Sequence, residues 1–181
     1  MKYVVRFSIS LSLLFAVVLP PNLPATDLVL NGAPAQVFFS PRGGCTEAIV
    51  GQIDGAGSEL LIQAFSFTSR DIAAAIVRAH KRGVRVAIVL DKSNRSEKYS
   101  AAEFTARAGI PTTIDARHAI AHNKIMILDR KTVITGSFNF TKAAEESNAE
   151  NVLIIRSVDL ADLYRRNWEK HRAHSEEYRP R

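Results

Sequence analysis

Residues 59–90 constrain the fold more than any other stretch, because they read as strand, helix and strand in succession. The run ELLIQAFSF over 59–67 has the composition of a buried strand. Ser69 can cap a helix over 71–82, where Ile72, Ala75, Ile76 and Ala79 recur at three- and four-residue steps. Lys81 and Arg82 fall in its last turn, and Gly83 closes it. VRVAIVL over 84–90 is again a strand. The alternation continues, with strands expected at 36–39, 111–114, 124–128, 132–135 and 151–155, and helices at 46–53, 101–108 and 158–175. Asp129, Arg130 and Lys131 make the turn between two of these strands, and Leu160, Leu163, Tyr164 and Trp168 form the apolar stripe of the last helix. Such alternation predicts the α/β class, as a single domain with a mixed β-sheet flanked by helices.

A chain of 181 residues with 46% hydrophobic and 23% charged residues suits one packed domain and argues against disorder. Its formal net charge of +6 favours polyanionic partners, nucleic acid or anionic lipid. At the start, Lys2 and Arg6 precede an apolar run over 7–19, and Pro20, Pro21 and Pro24 follow. That order predicts a secretory signal peptide over 1–25, since the run is shorter than the roughly 20 residues a membrane-spanning helix needs. An N-terminal segment over 26–34, a catalytic domain over 35–175 and a frayed tail over 176–181 would follow. The expected location is periplasmic or secreted, without stable membrane association once the peptide is cleaved; an uncleaved anchor is the alternative. Cleavage removes Lys2 and Arg6 and leaves 22 − 18 = +4. Cys45 is the single cysteine, so an intrachain disulfide and a cysteine-built zinc site are excluded, and it reads as a small buried residue.

The chemistry is concentrated in six spaced positions: His122, Lys124 and Asp129, then Gly136, Ser137 and Asn139. At roughly one in twenty per position, the pattern HxKxxxxD…GSxxN arises by chance in such a chain on the order of a few times per million. On a strand, alternate side chains share a face, so His122 and Lys124 point one way and Ile125 and Ile127 the other. If the two strands pair through the Asp129 turn, Ser137 and Asn139 converge on the same end of the sheet. Lysine, amide and hydroxyl groups donate to phosphate oxygens, and imidazole either attacks phosphorus or protonates a leaving oxygen. Taken singly, each residue has a plainer role. His122 alone would be structural, Lys124 a solvated charge, Asp129 a turn residue, and Gly136 conformational. Ser137 and Asn139 would cap the helical turn at 141–146.

This pattern resembles the signature of the phospholipase D superfamily, and the chain is similar to its small exported bacterial nonspecific endonucleases. The resemblance makes 35–175 a phospholipase D-like domain. It implies one histidine as nucleophile and a second, from another copy of the motif, as general acid, with no metal and no cofactor. It also implies a structural role for Asp129 and a supporting role for Glu150, which sits where relatives carry a glutamate that favours the protonated histidine. The cysteine and histidine zinc cluster of mitochondrial relatives has no counterpart in a chain with one cysteine.

One HxKxxxxD segment is present and no second half-copy appears over 35–117, so a homodimer with the site across its two-fold axis is expected. Phe138 and Phe140 would lie at that interface or inside the subunit. The expected substrate is nucleic acid, DNA or RNA, cut through a phosphohistidine; a phospholipid or cardiolipin hydrolase and a non-catalytic polyanion-binding module are the rivals. Lys92, Arg95, Lys98, Arg117 and His118 are candidate substrate contacts. His171 and His174 share a helix face, but two ligands with no acid in sight make a poor metal site, so both read as surface residues.

Overall fold

The structure, a computed structural model, describes residues 26–180; the expected signal peptide lies outside them. Strands are β1 (Ala35–Ser40), β2 (Glu59–Ala64), β3 (Arg85–Asp91), β4 (Thr112–Asp115), β5 (Lys124–Leu128), β6 (Thr132–Gly136), β7 (Glu150–Arg156) and β8 (Glu176–Glu177). Helices are α1 (Cys45–Asp54), α2 (Arg70–Lys81), α3 (Ala102–Arg107), α4 (Lys142–Glu146) and α5 (Val158–Ala173). The strands form one mixed sheet in the order β1-β7-β6-β5-β2-β3-β4-β8. β2, β3 and β4 are mutually parallel and the other pairings antiparallel.

The pleat sorts the core into two layers. On one face Leu60, Ile62, Ala64, Val86, Ile88, Leu90, Met126 and Leu128 pack against Cys45, Ile49 and Ile53 of α1 and Ile72, Ala75, Ile76 and Ala79 of α2. On the other, Leu61, Ala87, Val89, Ile125, Ile127 and Val133 meet Ala161 and Trp168 of α5. Full burial of an Ile or Leu side chain contributes about 1.5–3 kcal/mol, so the two layers account for most of the drive to fold. The Ser69 side chain accepts from the Ile72 amide and caps α2. The Trp168 indole N–H donates to the Ile62 carbonyl at 2.8 Å and pins α5 to the sheet. The stripe of α5 differs from the expected one: Ala161 and Trp168 are buried, with Leu160 and Tyr164 packed partly against the same cluster.

Two further differences matter for function. The β2 strand stops at Ala64 instead of running to Phe67, because the next residues turn to other partners. The Phe65 amide donates to the Asn123 carbonyl and the Thr68 and Ser69 amides to the Phe140 carbonyl. The tail expected to fray instead adds β8 beside β4, with Tyr178 donating its amide to Thr112 O and its hydroxyl to Glu103.

Candidate active site

Antiparallel pairing of β5 with β6 puts Met126 opposite Ile134 and Leu128 opposite Thr132. The three-residue connection between them places both Asp129 and Arg130 at positive φ (50° and 56°), and the Lys131 amide donates to the Leu128 carbonyl to close the turn. Asp129 then does structural work, far down the strand from His122. Its carboxylate accepts from the amides of Gly57, Ser58 and Glu59 and from the Ser58 hydroxyl. Burial alone would raise this carboxyl, but those donors outweigh it and hold the pKa at about 2.

At the opposite end of the hairpin the start of β5, the end of β6, the start of β7 and the segment leaving β2 come together. His122 precedes β5 and is exposed. Its ring packs on Phe65 with centroids 4.6 Å apart, and no hydrogen bond ties its nitrogens among the described residues. Lys124, the first residue of β5, is buried; its ammonium donates to the His122 carbonyl at 3.0 Å and lies 5.2 Å from the centre of the Phe65 ring. Burial pushes the Lys124 ammonium below its ordinary value, and the Glu150 carboxylate pulls it partway back. The charge therefore sits desolvated beside His122, where it acts on an anion more strongly than in water.

The GSxxN segment follows β6. Phe138 and Phe140 are both buried within the subunit, not at a surface, and Phe140 meets Phe67 edge-on at 6.2 Å. Because alternate residues in extended chain face opposite ways, burying these two rings turns Ser137 and Asn139 the other way. Neither caps α4, whose cap is Thr141, accepting from the Ala144 amide. The Ser137 hydroxyl accepts from the backbone and side-chain N–H groups of Asn151 at 3.1 and 3.3 Å. Asn139 Oδ1 is buried without a hydrogen-bond partner. Gly136 has φ 149°, and a Cβ there would lie 2.2 Å from the Asn151 carbonyl oxygen, so no larger residue fits between β6 and β7.

Glu150 opens β7 and accepts from the Asn148 side chain at 3.2 Å; it makes no hydrogen bond to His122, and its influence reaches Lys124 through charge. The basic candidates divide. Arg95 is paired with Glu176, the Lys92 ammonium donates to the His118 carbonyl, and Lys98 lies over the Tyr99 ring. Arg117 is exposed beside the loop that leads to His122. His118 places Nδ1 at 3.0 Å from Asp115 while its side chain remains partly exposed.

Sequence reasoning passed over Phe65 and Asp91. Phe65 is one of nine phenylalanines, and nothing in the sequence separates it from the rest. Asp91 ends β3 as a buried acid, a pattern that signals a task at a strand end. Its Oδ2 accepts from the Ala121 amide at 2.7 Å and its Oδ1 from the Ser93 amide, fixing the residue just before His122. The surface reading of His171 and His174 is corrected: their side chains are 16% and 21% exposed and both approach Asp115, an acid 56 and 59 positions upstream that local spacing could not reveal.

This end of the sheet offers an exposed imidazole, a buried ammonium, an amide and a hydroxyl around one spot, which suits attack on a phosphodiester and stabilisation of its charged oxygens. Residues 49–172 match the family model described as cardiolipin synthase, PLD-like domain. The chain is 44% identical over 150 residues to a protein named phospholipase D of Rickettsia bellii, covering 82% of this chain and 75% of the relative. It is 29% identical over 161 residues to the mitochondrial cardiolipin hydrolase of Canis lupus familiaris, covering 83% and 63%. Among solved structures, Nuc of Salmonella typhimurium, a phospholipase D family member, superposes with a TM-score of 0.79 at 39% identity, covering 81% of this chain and 99% of Nuc. On the motif, the fold and these relatives together, the chain belongs to the phospholipase D superfamily.

Proposed function

We propose that the protein hydrolyses nucleic-acid phosphodiesters without a metal, through a phosphohistidine on His122, at a site completed by a second copy of the chain. The observation that carries the reading is that His122 stands exposed, its ring nitrogens without a hydrogen bond among the described residues, beside the desolvated Lys124 ammonium. In the first step a nitrogen of His122 forms a bond to phosphorus as the bond to the leaving oxygen breaks. An imidazolium from the second copy gives that oxygen its proton. In the second step the same imidazole takes a proton from water, whose oxygen displaces His122 and frees the phosphate. Lys124 and Asn139 offset the charge on the non-bridging oxygens, and dividing one hard displacement into two lowers each barrier.

The need for a second copy rests on a census of the five histidines. His80 lies on α2, and His118, His171 and His174 gather round Asp115, so no second imidazole stands beside His122 within one chain. Two-fold symmetry supplies the missing acid from the same gene. The net charge of +6 suits a polyanion, nucleic acid among them.

A phospholipid substrate is the second reading, favoured by the names of the Rickettsia bellii and Canis lupus familiaris relatives and by Ile120, 58% exposed two residues before His122. One experiment separates the two: the processed protein is incubated with plasmid DNA, single-stranded RNA and cardiolipin-containing vesicles, all in excess chelator. Cleavage of nucleic acid with little lipid turnover is expected. Preferred turnover of vesicles replaces the nucleic-acid reading with the lipid one, and activity restored only by a divalent ion rejects the metal-free mechanism.

A further inference from the structure

Three of the five histidines converge on one buried carboxylate at the end of the sheet near β4. Asp115 is fully buried as the last residue of β4. His171 Nδ1 lies 2.7 Å from its Oδ2, His118 Nδ1 3.0 Å from the same oxygen, and His174 Nε2 3.2 Å from Oδ1. The Arg117 amide donates to Oδ1 at 3.1 Å. The three rings crowd together at tilted angles, with centroids 4.8, 5.3 and 5.5 Å apart. His174 Nε2 is buried and, despite its short approach, makes no properly directed hydrogen bond. We propose that Asp115, His118, His171 and His174 form a binding site for one divalent transition-metal ion, zinc by the character of the donors. The proposal is independent of the reaction at His122 and of its substrate.

The donor set and its spacing carry the argument. Three neutral imidazoles and one carboxylate are a four-coordinate zinc set, with bonds of about 2.0–2.1 Å and therefore tetrahedron edges of roughly 3.3 Å. His118 Nδ1 and His174 Nε2 lie 3.1 and 3.2 Å from one carboxylate oxygen, Oδ1, near that edge length, and His171 Nδ1 lies 2.7 Å from Oδ2. All four donor atoms fall within 4.8 Å of one another, so binding requires the imidazoles to draw in rather than the backbone to rearrange. The pieces able to move are those that need to. His118 is in a loop, and His174 is the C-cap of α5. Three crowded imidazolium ions would repel one another, whereas three neutral rings and a cation share the carboxylate without that repulsion. The ion would join β4, the loop at 116–121 and the last turn of α5.

The test uses the full chain stripped with chelator and then freed of it. Titration with zinc should show one ion per chain with Kd below about 1 μM, and cobalt should give the intense visible bands of a four-coordinate site. Saturating zinc should raise Tm by about 5–10 °C. His171→Ala and His174→Ala should each weaken binding by about 100-fold, while His80→Ala, altering a histidine outside the cluster, binds as wild type does. X-ray absorption on the zinc-loaded wild type, which needs no variant, should show three imidazoles and one oxygen. No stoichiometric binding by folded wild type at 100-micromolar zinc (about 100 times the expected Kd), a first shell lacking imidazoles, or a folded His171→Ala, His174→Ala double variant binding as tightly as wild type overturns the site.

Discussion

Histidine is used in opposite ways at two places on the same edge of this sheet. His122 is exposed, leans on Phe65 and gives its ring nitrogens to no group among the described residues. His118, His171 and His174 each bring a nitrogen close to Asp115, a carboxylate that no solvent reaches. A nucleophile needs an uncommitted lone pair and an approach path; a clamp needs convergence and fixed geometry. The surroundings set the difference, since the ring is the same. Beside His122 the neighbouring charge is a lysine, matched to an anionic substrate. Beside the other three it is an aspartate, whose carboxyl three imidazoles and the Arg117 amide hold below the usual range although burial opposes them.

The sharpest way to break the contrast is to remove the lone pair. His122→Asn should lower turnover by about 10⁴-fold or more, as loss of a nucleophile does, with thermal unfolding unchanged. Near-normal rates in a folded variant would show that another group attacks. Lys124→Ala comes next. An ammonium at the transition state is worth on the order of 3 kcal/mol, so kcat should fall by roughly 10²-fold with a smaller change in KM. An effect confined to KM would make Lys124 a binding residue only.

The contrast also explains what could be read in advance. The α/β class, most helices and strands and the HxKxxxxD…GSxxN group were legible because strand and helix periodicities and the motif all lie within short windows. Burial of Phe138 and Phe140 aims Ser137 and Asn139, and that alternation is a local property. The Asp115 cluster was not legible: His171 and His174 meet an acid that only the crossing of α5 over the sheet brings near. Phe65 escaped for a similar reason. Its place beside His122 depends on β2 ending at Ala64 and on the hydrogen bond its amide donates to the Asn123 carbonyl, neither marked by a residue type. The two-residue β8 was missed because a pair of glutamates followed by tyrosine carries no strand signal of its own.

Asp129 offers a middle-sized test, because it belongs to the motif yet its carboxylate is bonded to residues 57–59 at the other end of the hairpin from His122. Its folded pKa of about 2 lies below the unfolded value of 3.8. The stabilisation is thus fully present above about pH 4 and is lost as pH falls through about 2. Asp129→Asn should cost about 2 kcal/mol in urea unfolding at pH 7 and much less at pH 2, while kcat of the folded protein stays within about threefold. A loss in kcat comparable to that of Lys124→Ala, with stability intact, would place Asp129 in the reaction.

The smallest effects belong to the basic surface, where the structure ranks residues that the sequence treated alike. Arg95 already pairs with Glu176, and the Lys92 ammonium is turned to the His118 carbonyl, so either must break a contact before meeting a phosphate. Arg117 is exposed on the loop entering the site, and its backbone, not its guanidinium, serves Asp115. An arginine that need not abandon a partner gains more from a phosphate than one that must. Arg117→Ala should therefore weaken nucleic-acid binding by several-fold and reduce the slope of log affinity against log salt by about one, the signature of one lost phosphate contact. Arg95→Ala should change that slope by less than half as much. If Arg95→Ala gives the larger slope change, the polyanion follows the 92–98 loop and the pairing with Glu176 opens when substrate binds.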